Sequence, residues 1–513
     1  MLNSHCYTLG SALSQPNSHR QILRSSSIIG GAAVVAVGVG LVSTKVVAVT
    51  LGPAGVGLVG LLQSLVAVAA SIAALGFANV GTRQLAAAAA GGDEAALRLA
   101  RHALAWGTCI LAITGGLCFW AMRSVLAMHV LDRPDLAPAL AWLSIAVALT
   151  VAAGSQTAAL NGLRRVGDLA RRNVGAAVLS AAAGITALVI WRADGIVLFI
   201  LAGPLASFAV GLWFLRHPGT SRGPSPKWAE LATEWKGFAR LGMAFMLSGV
   251  VEMLIHLSVR TMVQQELGAA SLGLFQAAWT ISMTYIAFVL NAMTADYYPR
   301  LAGLVHSPAQ ATRLVNEQTE VALLLAGPVL LAVLGFAPFI LSLLYADAFV
   351  GASAVLRWQV LGDVLKVVSW PIAFVFLAAG DGRTFFLTET LALAVYGLVS
   401  WFLLPVLGVE AVGVGFFAMY AVYLPLTYRL AARKIGFRWE RGNVLLLAGI
   451  GLASCLVALI SCFSATYAAF AGGVCSFALG MHSLARLAQV TSEHPEGAVP
   501  GVRAVLARWR RRP

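Results

Sequence analysis

The chain has 513 residues, of which 59% are hydrophobic and 11% charged, and its mean hydropathy is +0.84. So few charges cannot cover the surface of a water-soluble protein of this length, which excludes a soluble enzyme or a soluble binding module. The net charge of +14 would indicate a nucleic-acid partner only if the basic residues shared one soluble face, and here they are spread between apolar stretches. The predicted solvent is therefore the lipid bilayer.

A helix needs about 20 apolar residues to cross a bilayer, and such stretches follow one another along most of the chain. We predict an all-α polytopic membrane protein with about 14 transmembrane helices, since each polar stretch between them is too short to form a soluble domain. The predicted spans are residues 26–49, 54–78, 103–122, 138–160, 172–191, 195–215, 238–262, 271–293, 319–343, 356–379, 384–406, 409–428, 443–463 and 466–486.

The distribution of Lys and Arg predicts the orientation of these spans. When the N-terminus is placed in the cytoplasm, most of the 35 basic residues fall in cytoplasmic segments. An even number of spans then leaves both termini in the cytoplasm. Residues 1–25 contain no apolar core of a signal peptide, so the first span itself is expected to direct insertion.

A short motif occurs twice. Leu51–Leu58 reads LGPAGVGL and Leu267–Leu274 reads LGAASLGL, 216 residues later. Six spans separate the copies, so the two halves are predicted to share one orientation about an axis along the membrane normal.

The repeat and a polar, Pro-rich stretch after the sixth span predict the domain organisation. Two six-helix lobes are expected around a central cavity. The predicted boundaries are a cytoplasmic N-terminal segment (1–25), an N-lobe (26–215), a cytoplasmic linker (216–237), a C-lobe (238–428), a C-terminal helix pair (443–487) and a basic cytoplasmic tail (488–513).

Several kinds of chemistry have no matching motif. The six cysteines show no C-x-x-C spacing, and no His/Cys cluster suggests a metal, so we expect neither disulfides nor a metal or other cofactor. A phosphate-binding G-x-x-x-x-G-K-[ST] loop is also missing, which argues against direct ATP hydrolysis. We therefore do not expect an enzyme.

Ionisable residues inside the predicted spans are candidates for a transport path, because a charge in hydrocarbon is costly unless it is paired or hydrated. Glu252, His256 and Arg260 follow one another at four-residue spacing, which places them on one stripe of a helix. The alternative is a Glu252–His256 pair with Arg260 extending towards the interface. Asp363 and Lys366 could likewise form a structural ion pair. Lys45 lies near a span end, where extension to the interface would also explain it.

Two stretches resemble a known family. Ser25–Ser64 is similar to the opening of the O-antigen translocases, the Wzx-type polysaccharide flippases, and Leu267–Leu304 resembles their eighth span. These flippases belong to the multidrug/oligosaccharidyl-lipid/polysaccharide exporter superfamily, whose members have 12 to 14 helices in two lobes. The resemblance implies a MATE-like fold in the bacterial inner membrane. The last two spans go beyond the usual pattern of 12 helices.

The resemblance implies that the protein moves an undecaprenyl-diphosphate-linked oligosaccharide, such as an O-antigen unit of lipopolysaccharide, from the cytoplasmic to the periplasmic leaflet. Lys45, Arg260 and Lys366 would be cavity cations for the diphosphate, and Arg83 and Arg300 a cytoplasmic capture site. Glu252, His256 or Asp363 would carry a coupling ion. Membrane lipids, a polysaccharide polymerase and a chain-length regulator would be partners.

Three other functions remain open at this point. A multidrug exporter of the same superfamily would favour acidic residues in its cavity, and the three anions Glu252, Asp363 and Glu389 balance the three cations. A peptidoglycan lipid-precursor flippase matches the helix count better and the two motifs less well. A membrane glycosyltransferase or polymerase would need a water-exposed site for a sugar donor, and no long outer loop offers one.

Overall fold

The computed structural model describes residues 16–216 and 226–493, and within these ranges all regular structure is helical. Helices satisfy every backbone hydrogen bond within one segment, which a chain in hydrocarbon requires. We number the helices α1 (Pro16–Ala73), α2 (Phe77–Gly91), α3 (Glu94–His129), α4 (Ala137–Gly162), α5 (Val166–Trp191), α6 (Ile196–Leu215), α7 (Trp228–Leu304), α8 (Pro308–Gly335), α9 (Ala337–Leu344), α10 (Ser353–Ala378), α11 (Gly382–Leu407), α12 (Glu410–Ile435), α13 (Arg441–Phe463) and α14 (Ala465–Glu493).

The predicted all-α membrane fold is confirmed, and each of the predicted spans lies largely in helix. In the described ranges, ten helical segments are long and apolar enough to cross a membrane. This number is smaller than that of the predicted spans partly because Gly30–Ala73 and Val166–Leu215 each contain two of them. Helix α7 is not among the ten, and polar residues such as Arg260 and Gln276 lower the hydropathy of its two halves.

The two copies of the repeated motif share one unusual backbone conformation. Gly52 interrupts α1 with φ 64° and ψ −170°, and Gly268 interrupts α7 with φ 80° and ψ 174°. Only glycine adopts such angles without strain, so each glycine reverses or sharply bends the chain between two spans. The two glycines are 216 residues apart, which extends the sequence repeat to the backbone.

The two motifs also pack against each other in a reciprocal way. A Cβ atom added to Gly273 would lie 1.8 Å from the carbonyl oxygen of Pro53, and one added to Gly57 would lie 2.5 Å from that of Ala269. Gly57 and Gly273 are equivalent in the repeat, and so are Pro53 and Ala269. The glycine of each motif thus contacts the equivalent carbonyl of the other motif, as in an interface between two parts related by a two-fold axis.

The chain forms two compact units. The first comprises Met1–Ser43, Ala69–Ser124 and Asp135–Leu247 as far as these are described, and the second Thr44–Val68, Val125–Pro134 and the described part from Ser248 onward. Residues 44–68 and 125–134, which belong to the predicted N-lobe, thus cluster with the second unit. The predicted N-terminal segment and basic tail lie mostly outside the described residues.

The first unit contains both ends of α1, α2, most of α3, α4 to α6 and the start of α7. Helix α7 begins at Trp228, inside the segment predicted as a linker, and part of that segment (217–225) lies outside the described residues. The start of α7 packs against α2 and α3, because Trp235 donates its indole N–H to the Ala103 carbonyl at 2.9 Å and the Phe77 and Phe238 rings lie 5.0 Å apart.

The second unit contains α8 to α14, the middle of α1, the end of α3 and the later part of α7, and α12 packs against both α10 and α11. The C-terminal pair α13–α14 joins this unit through α8. The buried Asn443 side chain donates to the Asn316 backbone oxygen at 2.9 Å, and the Cα atom of Gly335 lies 2.6 Å from a Cβ placed on Gly472. Hydrogen bonding and close glycine contact are the usual means of joining helices in a membrane.

Candidate functional site

The polar stripe of α7 runs from an exposed to a buried position in the second unit. The Glu252 side chain is 63% exposed, the His256 side chain 14% exposed, and Arg260 is 7% exposed. The Glu252 carboxylate lies 4.0 Å from the His256 Nε2 atom, at the limit of an ion pair. The helical spacing thus produces the stripe that the sequence predicts, with its cation at the most buried position.

Arg260 is held inside the protein and does not extend towards an interface. Its Nε atom donates to the Gln276 side-chain oxygen and its Nη1 atom to the His256 carbonyl oxygen, both at 3.2 Å. The guanidinium also lies 5.5 Å from the centre of the Trp279 ring and 5.7 Å from that of Phe275. In the described part of the chain no carboxylate lies within 4.0 Å of Arg260, so its charge is stabilised by dipoles and aromatic faces.

Asp363 and Lys366 of α10 are close in sequence but do not pair. The Asp363 Oδ2 atom accepts hydrogen bonds from Ser282 at 2.6 Å and from Tyr285 at 2.5 Å, both on α7. The Lys366 ammonium lies 3.6 Å from the Met283 sulfur. Among the described residues Lys366 has no carboxylate within 4.0 Å, so the structural ion pair considered from the sequence is absent.

An aromatic cluster connects the two cations. The Lys366 Nζ atom lies 5.7 Å from the ring centres of both Phe416 and Tyr420. The Phe416 ring in turn lies 5.8 Å from that of Trp279, the ring beside Arg260. Ring faces carry negative potential and attract cations, so the cluster holds two positive charges in a region of low polarity.

Lys366 lines a cavity of about 460 Å³ within the second unit. The other lining residues include Glu252, Glu389, Tyr420 and Trp370. Glu389 accepts a hydrogen bond from the Tyr423 hydroxyl. Arg260 and Asp363 are not among the lining residues. The cavity therefore presents one ammonium, two carboxylates and several aromatic rings to a ligand.

The other predicted site residues lie elsewhere. Lys45 donates from Nζ to the carbonyl oxygen of Ser342 at 3.1 Å, near the end of α9, and does not line this cavity. Arg83 is exposed on α2 in the first unit, and Arg300 is exposed near the end of α7. Lys45 and Arg300 belong to the second unit as well, but neither lines the cavity beside Lys366.

The aromatic side chains around the two cations are not among the site residues predicted from the sequence. Phe416, Tyr420 and Tyr423 follow one another at spacings of four and three residues, which places them on one face of α12. Phe275 and Trp279 have the same relation on α7. This spacing was a usable signal, although aromatic stripes in membrane helices more often serve only packing.

Comparison with known proteins identifies the family. A model described as "Polysaccharide biosynthesis protein" matches residues 46–354, more than half of the chain. The chain belongs to this family. Membership confirms the resemblance to the polysaccharide flippases that the two motifs indicated.

Curated relatives of the family match part of the chain. The lipid III flippases of Escherichia coli (strain K12) and Shigella flexneri are each 22% identical to it over 202 residues. The match covers 39% of this chain and 48% of each flippase. The chain thus spans about half the length of the curated relatives it matches.

Solved structures show the fold. An inward-facing multidrug resistance MATE family transporter of the MOP superfamily matches with a TM-score of 0.62 and 16% identity over 79% of this chain and 98% of that one. The lipid II flippase MurJ matches with a TM-score of 0.61 and 10% identity over 91% and 99%. A MOP superfamily transporter from Pyrococcus furiosus matches with a TM-score of 0.58 and 18% identity over 82% and 99%. The family member described here therefore has the MOP superfamily fold and is a multi-pass membrane protein.

Proposed function

We propose that the protein is a flippase for an undecaprenyl-diphosphate-linked oligosaccharide, which it moves from the cytoplasmic to the periplasmic leaflet of the bacterial inner membrane by alternating access. The family description and the names of the curated relatives support a polysaccharide precursor as cargo. A diphosphate with sugars cannot cross about 30 Å of hydrocarbon unaided, because its charges and hydroxyls would lose their hydration.

One observation carries the proposal. Arg260 and Lys366 are cations inside the second unit without a carboxylate within 4.0 Å among the described residues. Protein charges in such surroundings are usually paired, so two unpaired cations provide attraction for an anionic group that arrives during the transport cycle. In the proposed mechanism Lys366 meets the diphosphate in the cavity, and the aromatic rings contact the apolar faces of the sugars.

The remaining predicted residues have proposed roles on the same path. Arg83 and Arg300 attract the diphosphate at the cytoplasmic surface, and Lys45 adds positive charge near the span end. Glu252, His256 or Asp363 carries a coupling ion. An interior-negative potential also favours outward movement of an anion, by about 2.3 kcal/mol per charge per 100 mV.

A multidrug exporter is the second candidate, and one observation favours it. Glu252 and Glu389 both line the cavity beside Tyr420 and Trp370, an arrangement that suits an organic cation. A flippase for a peptidoglycan lipid precursor is supported by the fold shared with the lipid II flippase. These three candidate functions differ in the transported molecule, so identifying that molecule distinguishes them.

The test is export of surface polysaccharide in cells whose only copy of the gene encodes Lys366→Gln. Loss of a charged contact to the cargo is worth about 1.5–3 kcal/mol, so we expect export to fall by about tenfold to a hundredfold while lipid-linked glycan accumulates in the cytoplasmic leaflet. Lys366→Arg should retain part of the activity. Exposed Lys236 provides the matched control Lys236→Gln.

Protein levels measured by immunoblotting keep the comparison independent of expression. Wild-type export by Lys366→Gln would remove Lys366 from the proposed mechanism. Normal polysaccharide in a strain without the gene, together with a new sensitivity to cationic dyes, would favour the multidrug exporter instead.

A further inference from the structure

The proposed function needs Arg260 to meet an anionic cargo, but here the protein itself holds the guanidinium. Its Nε atom donates to the Gln276 side-chain oxygen and its Nη1 atom to the His256 carbonyl oxygen, both at 3.2 Å. His256 lies one turn earlier on the same helix and moves with Arg260, whereas Gln276 follows the interruption at Gly268, in the other half of α7. The bond to Gln276 is therefore the contact that a movement between spans can make or break.

The Gln276 side chain is fixed from two sides within the second unit. Its Nε2 atom donates to the Thr280 hydroxyl oxygen at 3.3 Å. On the other side it lies against the buried Gly60 of α1, since a Cβ atom added to Gly60 would lie 2.7 Å from the Gln276 Cγ and Cδ atoms and 2.8 Å from Oε1. The backbone of α1 thus closes the space around the amide that binds Arg260.

Gly60 and Gln276 are equivalent positions of the repeat, 216 residues apart. Their contact continues the reciprocal contacts of the two motifs, and at this level each repeat meets its own equivalent residue. Four residues later the equivalent Ser64 and Thr280 donate their hydroxyls to the backbone oxygens of Gly60 and Gln276, at 2.7 Å and 2.8 Å. The backbone frame is therefore symmetric, but one repeat has no side chain where the other has an amide.

The asymmetry extends to the cation. The position equivalent to Arg260 is Thr44 in α1, so the first repeat has neither the cation nor the amide. A side chain at position 60 would push Gln276 away from Arg260, so the glycine and the glutamine fit only together. When α1 and α7 separate at the motifs, the Gln276 amide loses its packing against Gly60 and gains room to turn away.

We propose that Gln276 is a positioning residue for Arg260, which it holds while the two motifs are packed and releases to the anionic cargo when they separate. This role rests on the proposed function, in which Arg260 attracts a diphosphate during alternating access. Gln276 and the diphosphate compete for the same N–H group, so the return of Gln276 displaces the diphosphate as the motifs close. A cation that bound the cargo equally in every state would give no such release.

Binding of undecaprenyl diphosphate to the purified full-length protein in nanodiscs tests this competition. Gln276→Ala removes the competing acceptor and should tighten binding by about tenfold. Gln276→Glu gives Arg260 a carboxylate partner and should weaken binding by about tenfold, because a charged acceptor holds a guanidinium more strongly than an amide does. Gln265→Glu adds the same charge at an exposed position of α7 and should leave binding unchanged.

Gly60→Ala tests whether the packing of α1 keeps Gln276 in place. The three nearest atoms that the added methyl group would meet all belong to the flexible Gln276 side chain, so we expect binding to tighten as in Gln276→Ala while the unfolding temperature stays the same. The double variant Gly60→Ala/Gln276→Ala should bind like Gln276→Ala alone, because the methyl group then meets no long side chain. Gly303→Ala is the control and should bind like the wild type.

A purely structural role of Gln276 would shift binding in the same direction in Gln276→Ala and Gln276→Glu, and that result would overturn the proposal. Gly60→Ala that binds like Gly303→Ala, or a further shift in the double variant, would also overturn it. Transport by the wild type tests the proposed function separately. Transport without the opposite shifts contradicts only the role of Gln276, opposite shifts without transport contradict only the flippase, and a wild type that does not bind undecaprenyl diphosphate contradicts both.

Discussion

Arg260→Glu is expected to abolish export of the lipid-linked glycan, by at least about a hundredfold. The substitution places a carboxylate beside the Gln276 side-chain oxygen and the His256 carbonyl oxygen, two acceptors that now receive hydrogen bonds from Arg260. The faces of the Phe275 and Trp279 rings, which attract the Arg260 cation, would repel an anion in its place. An unpaired buried charge costs several kcal/mol, and the positive charge for the diphosphate is lost as well.

The variant Arg260→Lys distinguishes the effect of the positive charge from that of the hydrogen-bond geometry of the guanidinium. It keeps the cation but cannot bond to Gln276 and to the His256 carbonyl in the same planar way, so we expect reduced, measurable export. Arg123 also lies over an indole, with 4.1 Å between its guanidinium and the Trp120 ring, but it is only half-buried. Arg123→Glu is therefore the matched control and should export normally. Export by Arg260→Glu at the control level, with equal protein in the membrane, would show that the buried cation is dispensable.

Gly273→Ala is expected to disrupt the contact between the two repeated motifs. The added Cβ would lie 1.8 Å from the Pro53 carbonyl oxygen, so the backbones of α1 and α7 would have to separate by about 1 Å or more. Overpacking of this kind costs about 1–3 kcal/mol, which corresponds to a fall in export of about tenfold if the contact is needed during transport. Gly57→Ala disturbs the reciprocal contact and should have a similar effect.

The measurements for this prediction are the unfolding temperature in detergent and export in cells. A Cβ atom added to Gly303, on the same helix, would have no heavy atom within 4 Å, so Gly303→Ala serves as the control and should leave both unchanged. The effects of Gly57→Ala and Gly273→Ala should not add fully, because both act on one contact. A Gly273→Ala variant that behaves like Gly303→Ala would show that the two motifs are not tightly packed.

Structural features that are determined by residues close together in the sequence could be predicted. The spans follow from the length of apolar stretches, and the stripe from Glu252 to Arg260 follows from helical spacing. The repeat predicted equivalent positions for Gly52 and Gly268, and the backbone angles at the two glycines agree.

Contacts between distant segments could not be predicted. The sequence left open whether Asp363 pairs with Lys366, three residues away, and the structure shows that it accepts hydrogen bonds from Ser282 and Tyr285 on another helix. The contact between Lys45 and Ser342 is of the same kind. Helix packing brings these partners together, and periodicity within a single segment does not reveal which helix faces another.

The central claim is that the protein moves a lipid-linked diphosphate oligosaccharide across the membrane. Its most direct test is transport by the purified full-length protein in proteoliposomes, with a fluorescent undecaprenyl-diphosphate oligosaccharide and a cationic dye offered in parallel. We predict that the wild type moves the lipid-linked oligosaccharide between leaflets, that Lys366→Gln moves it much more slowly, and that Arg260→Glu does not move it. Transport of the dye without movement of the lipid-linked oligosaccharide would contradict the account.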